Sequence, residues 1–131
     1  VMTASPEQIL IMLYDGAIRF VRQSKQAIHD GRHADKATAI RKSIAIITEF
    51  ANTLDYEVGG EIALDLSQLY DFMVRELSAV NAHSDAKRLE PVERILLDLR
   101  EGFAGAAEIN RKAVQPVPEA EAAEKRVAVS F

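Results

Sequence analysis

The sequence predicts an all-α protein, an antiparallel four-helix bundle, and three observations predict it. The 131 residues are dominated by helix formers, with four prolines, six glycines, three tyrosines and five phenylalanines. Apolar residues recur at three- and four-residue spacing through four long stretches. The connections between those stretches are short, which makes consecutive helices antiparallel neighbours. A chain of this length forms one domain with a core that needs no disulfide.

The first helix is predicted over 6–29. Ser5 is placed to cap it, Pro6 suits its first position, and Gln8 can close a capping box back onto Ser5. Glu7 puts a carboxylate in the first turn. Asp30-Gly31 ends the helix, with Gly31 taking the left-handed position. Ile9 to Tyr14 is an unbroken apolar run, more than one buried stripe can absorb. At 100° per residue, Ile9, Leu13, Ala17, Phe20, Ser24 and Ile28 form the expected core stripe. Ile11, Tyr14 and Ile18 form a second stripe pointing away from it, a surface suited to another chain. Gly16 in mid-helix costs about 0.5–1 kcal/mol relative to Ala, which suggests close approach of either a packed helix or a bound peptide backbone.

The second helix is predicted over 34–53, with Ala37, Ile40, Ile44, Ile47, Ala51 and Leu54 as its core stripe. Ala39, Ser43, Ile46 and Phe50 make a second row beside it, so the apolar face is wider than one neighbour requires. Asp55-Tyr56-Glu57-Val58-Gly59-Gly60 reads as the main turn. The third helix, 61–83, carries Ile62, Leu66, Leu69, Met73, Leu77 and Val80, with Tyr70 at the edge of the stripe and Leu64 and Phe72 off it. Residues 84–89 lead to a fourth helix opening at Pro91, with Val92, Ile95, Leu96, Leu99, Phe103 and Ala106 on one face. The bundle domain therefore covers 1–113. Pro116 and Pro118 break the pattern in the tail, 114–131, where 119–126 has the composition of a short fifth helix and Val127 to Phe131 is largely apolar. The tail is expected either to be flexible or to pack on the bundle.

Composition also excludes function classes. Without cysteine there is no disulfide framework and no thiolate metal site, which suits a reducing compartment. A net charge of −4 with interspersed signs opposes nucleic-acid binding. No apolar run reaches membrane-spanning length and no secretory leader pattern heads the chain, so neither membrane insertion nor a signal peptide is expected. The chain opens on Val1, which leads us to expect further residues before it. A di-iron bundle would need Glu-x-x-His units, and none occurs. His29 and His33 have i, i+4 spacing but straddle Gly31, and read as solvated loop histidines rather than metal ligands. His83 raises a phosphotransfer or a ribonuclease role. It sits at a predicted helix end, however, and Arg75 is too far upstream for a ribonuclease pair. No nucleophile with a nearby base and no phosphate-binding glycine loop is visible. Neither an enzyme nor a cofactor is expected.

Thr3-Ala4-Ser5-Pro6-Glu7, Leu13-Tyr14-Asp15-Gly16, Leu54-Asp55, Gly59-Gly60-Glu61-Ile62-Ala63, Leu69-Tyr70 and Leu99-Arg100-Glu101-Gly102-Phe103 follow one another in a distinctive order and spacing. In these blocks the chain resembles the flagellin-specific export chaperone family, FliS, from Thr3 to about Glu108. The resemblance implies a cytoplasmic helical bundle, monomeric or weakly dimeric. Such a bundle holds the disordered C-terminal segment of flagellin, blocks premature polymerisation and presents its client to a flagellar export gate component. Family members usually carry a short N-terminal arm before the Ser-Pro cap; this sequence starts almost at that cap, so contacts attributed to the arm are not assigned to any of its residues. Phe103 stands where many relatives have tryptophan, and the tail from Val114 has no clear counterpart. Ile11, Tyr14, Gly16, Ile18, Ile46 and Phe50 are the expected flagellin-binding residues. The alternatives are a self-associating structural bundle and, less favoured, a histidine phosphotransfer bundle.

Overall fold

A computed structural model of the protein describes residues 4–113. Four long helices dominate it: α1 (Pro6–His29), α2 (His33–Asn52), α4 (Glu61–His83) and α5 (Leu89–Ala113). A single-turn helix, α3 (Tyr56–Gly59), lies where only a turn was expected, and a 3₁₀ turn (Ala86–Arg88) precedes α5. The architecture is the expected all-α bundle. Helix α1 packs against α2 and α5, α2 against α4, and α4 more lightly against α5. The connections are too short for anything but antiparallel neighbours. The short helix expected at 119–126 and the disposition of the tail lie outside the described residues.

Local chemistry sets the ends. Ser5 Oγ accepts from the Gln8 amide at 3.2 Å, and Gln8 Oε1 accepts from the Ser5 amide at 2.8 Å, closing the capping box. At the other end of α1, Gly31 adopts φ +70°. Arg32 N–H donates to Ala27 O at 2.8 Å and Gly31 N–H to Ile28 O at 3.2 Å, the bond pair of a Schellman termination. Asp55 Oδ1 accepts from the amides of Glu57 and Val58, both at 3.0 Å, which starts α3. Gly60, at φ +53°, then redirects the chain into α4. Helix α5 begins two residues before Pro91, because a proline within the first turn removes only an amide that lacks an intrahelical partner.

The core is centred differently from the predicted stripes. On α1 the buried line is Leu10, Tyr14, Ala17, Val21 and Ser24, one residue out of phase with the Ile9–Leu13–Phe20 stripe. Tyr14 and Ile18, expected to point away, are both buried, and Ile9 is exposed. On α2 the row expected to be secondary supplies the centre: Ala39, Ser43 and Phe50 are buried with Ile40 and Ile47, while Ala37, Ile44, Ala51 and Leu54 flank them half-buried. On α4, Tyr70 is central rather than marginal, Ala63 takes the innermost place in the first turns, and Ile62 is exposed. The buried polar side chains of Ser24, Ser43 and Lys36 find hydrogen-bond partners. Ser24 and Ser43 hydroxyls donate to Val21 O at 2.7 Å and Ala39 O at 3.0 Å. Lys36 Nζ donates to Asn81 O at 3.1 Å and Ser84 Oγ at 2.7 Å, satisfying the C-terminal end of α4, where Ser84 sits at φ +55°.

Candidate binding surface

The long helices each send one aromatic ring to a common column. Tyr14 of α1 stacks on Phe50 of α2 at 4.3 Å between ring centroids and on Phe103 of α5 at 5.7 Å. Tyr70 of α4 lies 5.8 Å from Phe50, and its hydroxyl meets the Tyr14 hydroxyl at 2.9 Å. This bond is why a tyrosine can occupy the centre of the core: each buried oxygen finds its partner in the other. Burial pushes the Tyr14 hydroxyl far above its ordinary value, helped by the neighbouring Tyr70. Burial also raises Tyr70, and its hydrogen bond to Tyr14 partly opposes that rise.

The six residues expected to bind a partner divide accordingly. Tyr14, Gly16, Ile18 and Phe50 are covered by the bundle's own helices, and Ile11 and Ile46 are half-buried. Gly16 faces α2: a Cβ there would lie 3.5 Å from Ile46 Cδ1, an ordinary contact. Helix packing therefore accounts for the environment of Gly16.

What remains open between the helices is a set of shallow grooves. One, of about 630 Å³, runs between α1 and α5, with Ile18 and Leu97 among its apolar lining and Arg19, Arg22 and Arg100 among its polar lining. Two ion pairs tie α1 to α5 beside it. Arg100 donates through Nε and Nη2 to the Asp15 carboxylate, the second contact at 3.4 Å, and Arg22 Nε lies 3.5 Å from Glu93. A second groove, of about 420 Å³, separates α2 from α4 and is lined by Ile47, Ala51, Val74 and Arg75 among others. Among the described residues no group of three His, Asp or Glu side chains is placed to hold a metal ion. No described helix is long and apolar enough to cross a membrane. The geometry offers apolar strips with polar rims, which suit a peptide laid along a helix pair.

Sequence reasoning missed Leu97, Arg19 and Arg22 as groove residues, because their setting depends on α5 lying against α1. It quoted Asp15 and Arg100 inside separate motifs but could not pair them across 85 positions.

A family model for the flagellar protein FliS matches residues 1–110. The chain belongs to the FliS family. It is 40% identical over 104 residues to a flagellar secretion chaperone FliS of Salmonella typhimurium, covering 79% of this chain and 77% of the relative. It is 35% identical over 99 residues to the corresponding protein of Campylobacter jejuni, covering 76% and 77%. With that of Bacillus subtilis it shares 32% over 112 residues, covering 86% and 83%. The blocks that carry the family resemblance converge in the fold. Tyr14, Tyr70 and Phe103 come from three of them and form the aromatic column with Phe50, while Asp15 and Arg100 close the ion pair.

Proposed function

We propose that the protein is a flagellin export chaperone. It sequesters the disordered C-terminal segment of a flagellin in the cytoplasm, prevents premature polymerisation, and delivers the client to a component of the flagellar export gate. The observation that supports this is the pair of shallow grooves, α1–α5 and α2–α4, on a member of the FliS family whose relatives are flagellar secretion chaperones. A client that is disordered until bound gains affinity by covering a large surface rather than by filling one deep pocket. In this reading Ile18 at the base of the α1–α5 groove, with half-buried Ile11 and Ile46, touches the client. Tyr14, Gly16 and Phe50 act from beneath by fixing where the groove walls stand. The chaperone works as a monomer or weak homodimer, without catalysis or a cofactor.

The test is calorimetric titration with a peptide of about 50 residues from the C-terminus of a flagellin, a length that matches the surface a wrapped partner buries. Binding should show a negative heat-capacity change and a gain in helicity. Leu97→Asp should abolish most of the affinity while lowering the melting temperature only modestly, since Leu97 keeps 37% of its surface exposed. Absence of binding would refute the client. Undiminished binding by the variant would refute the groove.

A further inference from the structure

Seven large hydrophobic side chains are exposed among the described residues, and six of them sit at one end of the bundle. Ile9 and Met12 lie where α1 begins, Tyr56 and Val58 on α3, and Ile62 and Leu64 where α4 begins. Met12 and Ile62 keep 65% and 68% of their surface. The core beneath is already complete, with Leu10, Tyr14, Ala63 and Leu66 buried at the same level. Single exposed apolar residues are ordinary, but their gathering at one end marks a contact surface.

The charge at this end is net acidic, although α5, whose C-terminal half ends here, contributes Arg100, Arg111 and Lys112 against Glu101 and Glu108. Residues 44–74 carry Glu49, Asp55, Glu57, Glu61, Asp65 and Asp71 and no Lys, Arg or His. Residues 4–18 carry Glu7 and Asp15 and no basic residue. The other half of the α1–α2 pair, 19–43, holds Arg19, Arg22, Lys25, Arg32, Lys36, Arg41 and Lys42 against only Asp30 and Asp35. Complementing helix dipoles explains part of this, since Glu7, Glu57 and Glu61 lie in first turns. It does not explain Glu49, a carboxylate near the C-terminus of α2, where the dipole favours a cation.

We infer that this end docks a basic amphipathic helix of a partner protein, its apolar face on Tyr56, Val58 and Ile62 and its cations on the surrounding carboxylates. Charge complementarity selects this occupant. A second copy would bring two acidic ends together, and a neutral or acidic segment would gain nothing from the field. Neighbouring helix axes stand about 8–10 Å apart, so a partner helix of about 14 residues, at about 1.5 Å per residue, spans the end. The six exposed residues line none of the grooves described above, and the inference stands apart from the flagellin reading.

The test uses the full chain and two fluorescein-labelled synthetic amphipathic helices of about 18 residues, identical in pattern, one Leu/Lys and one Leu/Glu. Anisotropy should show the Leu/Lys peptide binding at least about tenfold more tightly, and losing that advantage as salt is raised. Val58→Ser with Ile62→Ser should remove most of the affinity while leaving the melting temperature unchanged. Glu57→Gln, Glu61→Gln and Asp65→Asn together should flatten the salt dependence, and Arg41→Gln with Lys42→Gln, midway along α2, should change neither. Equal binding of the two peptides, or indifference to the Val58 and Ile62 changes, would overturn the site. A rise in affinity on Val127→Asp with Phe131→Asp would make 114–131 the occupant and overturn a foreign partner. Sedimentation showing self-association that Ile62→Ser abolishes would do the same in favour of a second copy.

Discussion

Removing either hydroxyl of the Tyr14–Tyr70 pair should harm the bundle more than removing both. The two oxygens are 2.9 Å apart, each on a fully buried ring. Tyr14→Phe leaves the Tyr70 hydroxyl without its partner in the core, and Tyr70→Phe does the reverse. Each single change forfeits the bond and strands a polar group, at a cost of about 1–3 kcal/mol. The double change strands nothing, and two phenylalanines of nearly the same shape cost about 1 kcal/mol or less. With about 2 kcal/mol for each single variant, the sum is about 4, and the coupling energy is about −3 kcal/mol, at the upper end of measured contact pairs. Urea unfolding followed by circular dichroism reads this directly. In thermal melts of a domain of this size about 1 kcal/mol moves the midpoint by about 3–5 °C, so the single variants should melt about 6–10 °C low and the double variant close to the parent. If the double variant lost the sum of the two single losses, the hydroxyls would not be satisfying each other, and the account of why tyrosine sits in this core would be wrong.

The same pair should make the protein sensitive to alkali. Both hydroxyls titrate above their ordinary value near 10 in the folded state, so their stabilising contribution is complete below pH 10 and is lost progressively as the pH rises above it. Urea midpoints measured from pH 9 to 11 should fall steeply in the parent and more gently in the double phenylalanine variant. Phe50→Ala should destabilise by about 3–5 kcal/mol in the same unfolding assay, since it removes the ring in contact with both tyrosines. Gly16→Ala should be neutral or raise stability by up to about 1 kcal/mol, because the added methyl meets Ile46 at ordinary contact distance while the helix gains propensity; a large loss would mean α1 and α2 approach more closely than the structure shows. Arg100→Ala should leave the urea midpoint almost unchanged, because its pair with Asp15 is more than a third exposed on both sides.

Element type and extent were largely legible, because caps and breakers act locally. Ser5, Gln8 and Gly31 do in the structure what their positions promised, and the long helices begin and end within about two residues of the expected bounds. Helix rotation was harder to read. The run Ile9 to Tyr14 offers apolar residues in nearly every direction, so periodicity alone left two phases open, and placing Tyr14 outside selected the wrong one. A tyrosine reads as amphipathic until its hydroxyl has a partner, and that partner, Tyr70, lies 56 positions away on a helix not adjacent to α1. The same long-range dependence hid the α1–α5 groove, whose Leu97 and Arg22 come together only when the last long helix closes on the first.

Placing the aromatic column inside changes how binding must be probed. Substituting Ile18 with Asp buries a charge in a position with almost no access to water, so lost binding would report unfolding before it reported a missing contact. The column shows where function can be separated from folding. Its four rings hold the long helices in register, and that register sets the spacing of the α1–α5 and α2–α4 grooves. Residues on the groove rims and at the acidic end carry little of that load, so Val58 and Ile62 can be altered with the frame intact, and Leu97, the least exposed of the three, at a modest cost. Variants at these positions that melt like the parent but lose a partner would assign binding to the surface. Column variants that lose stability and binding together would show that the same frame holds that surface in place.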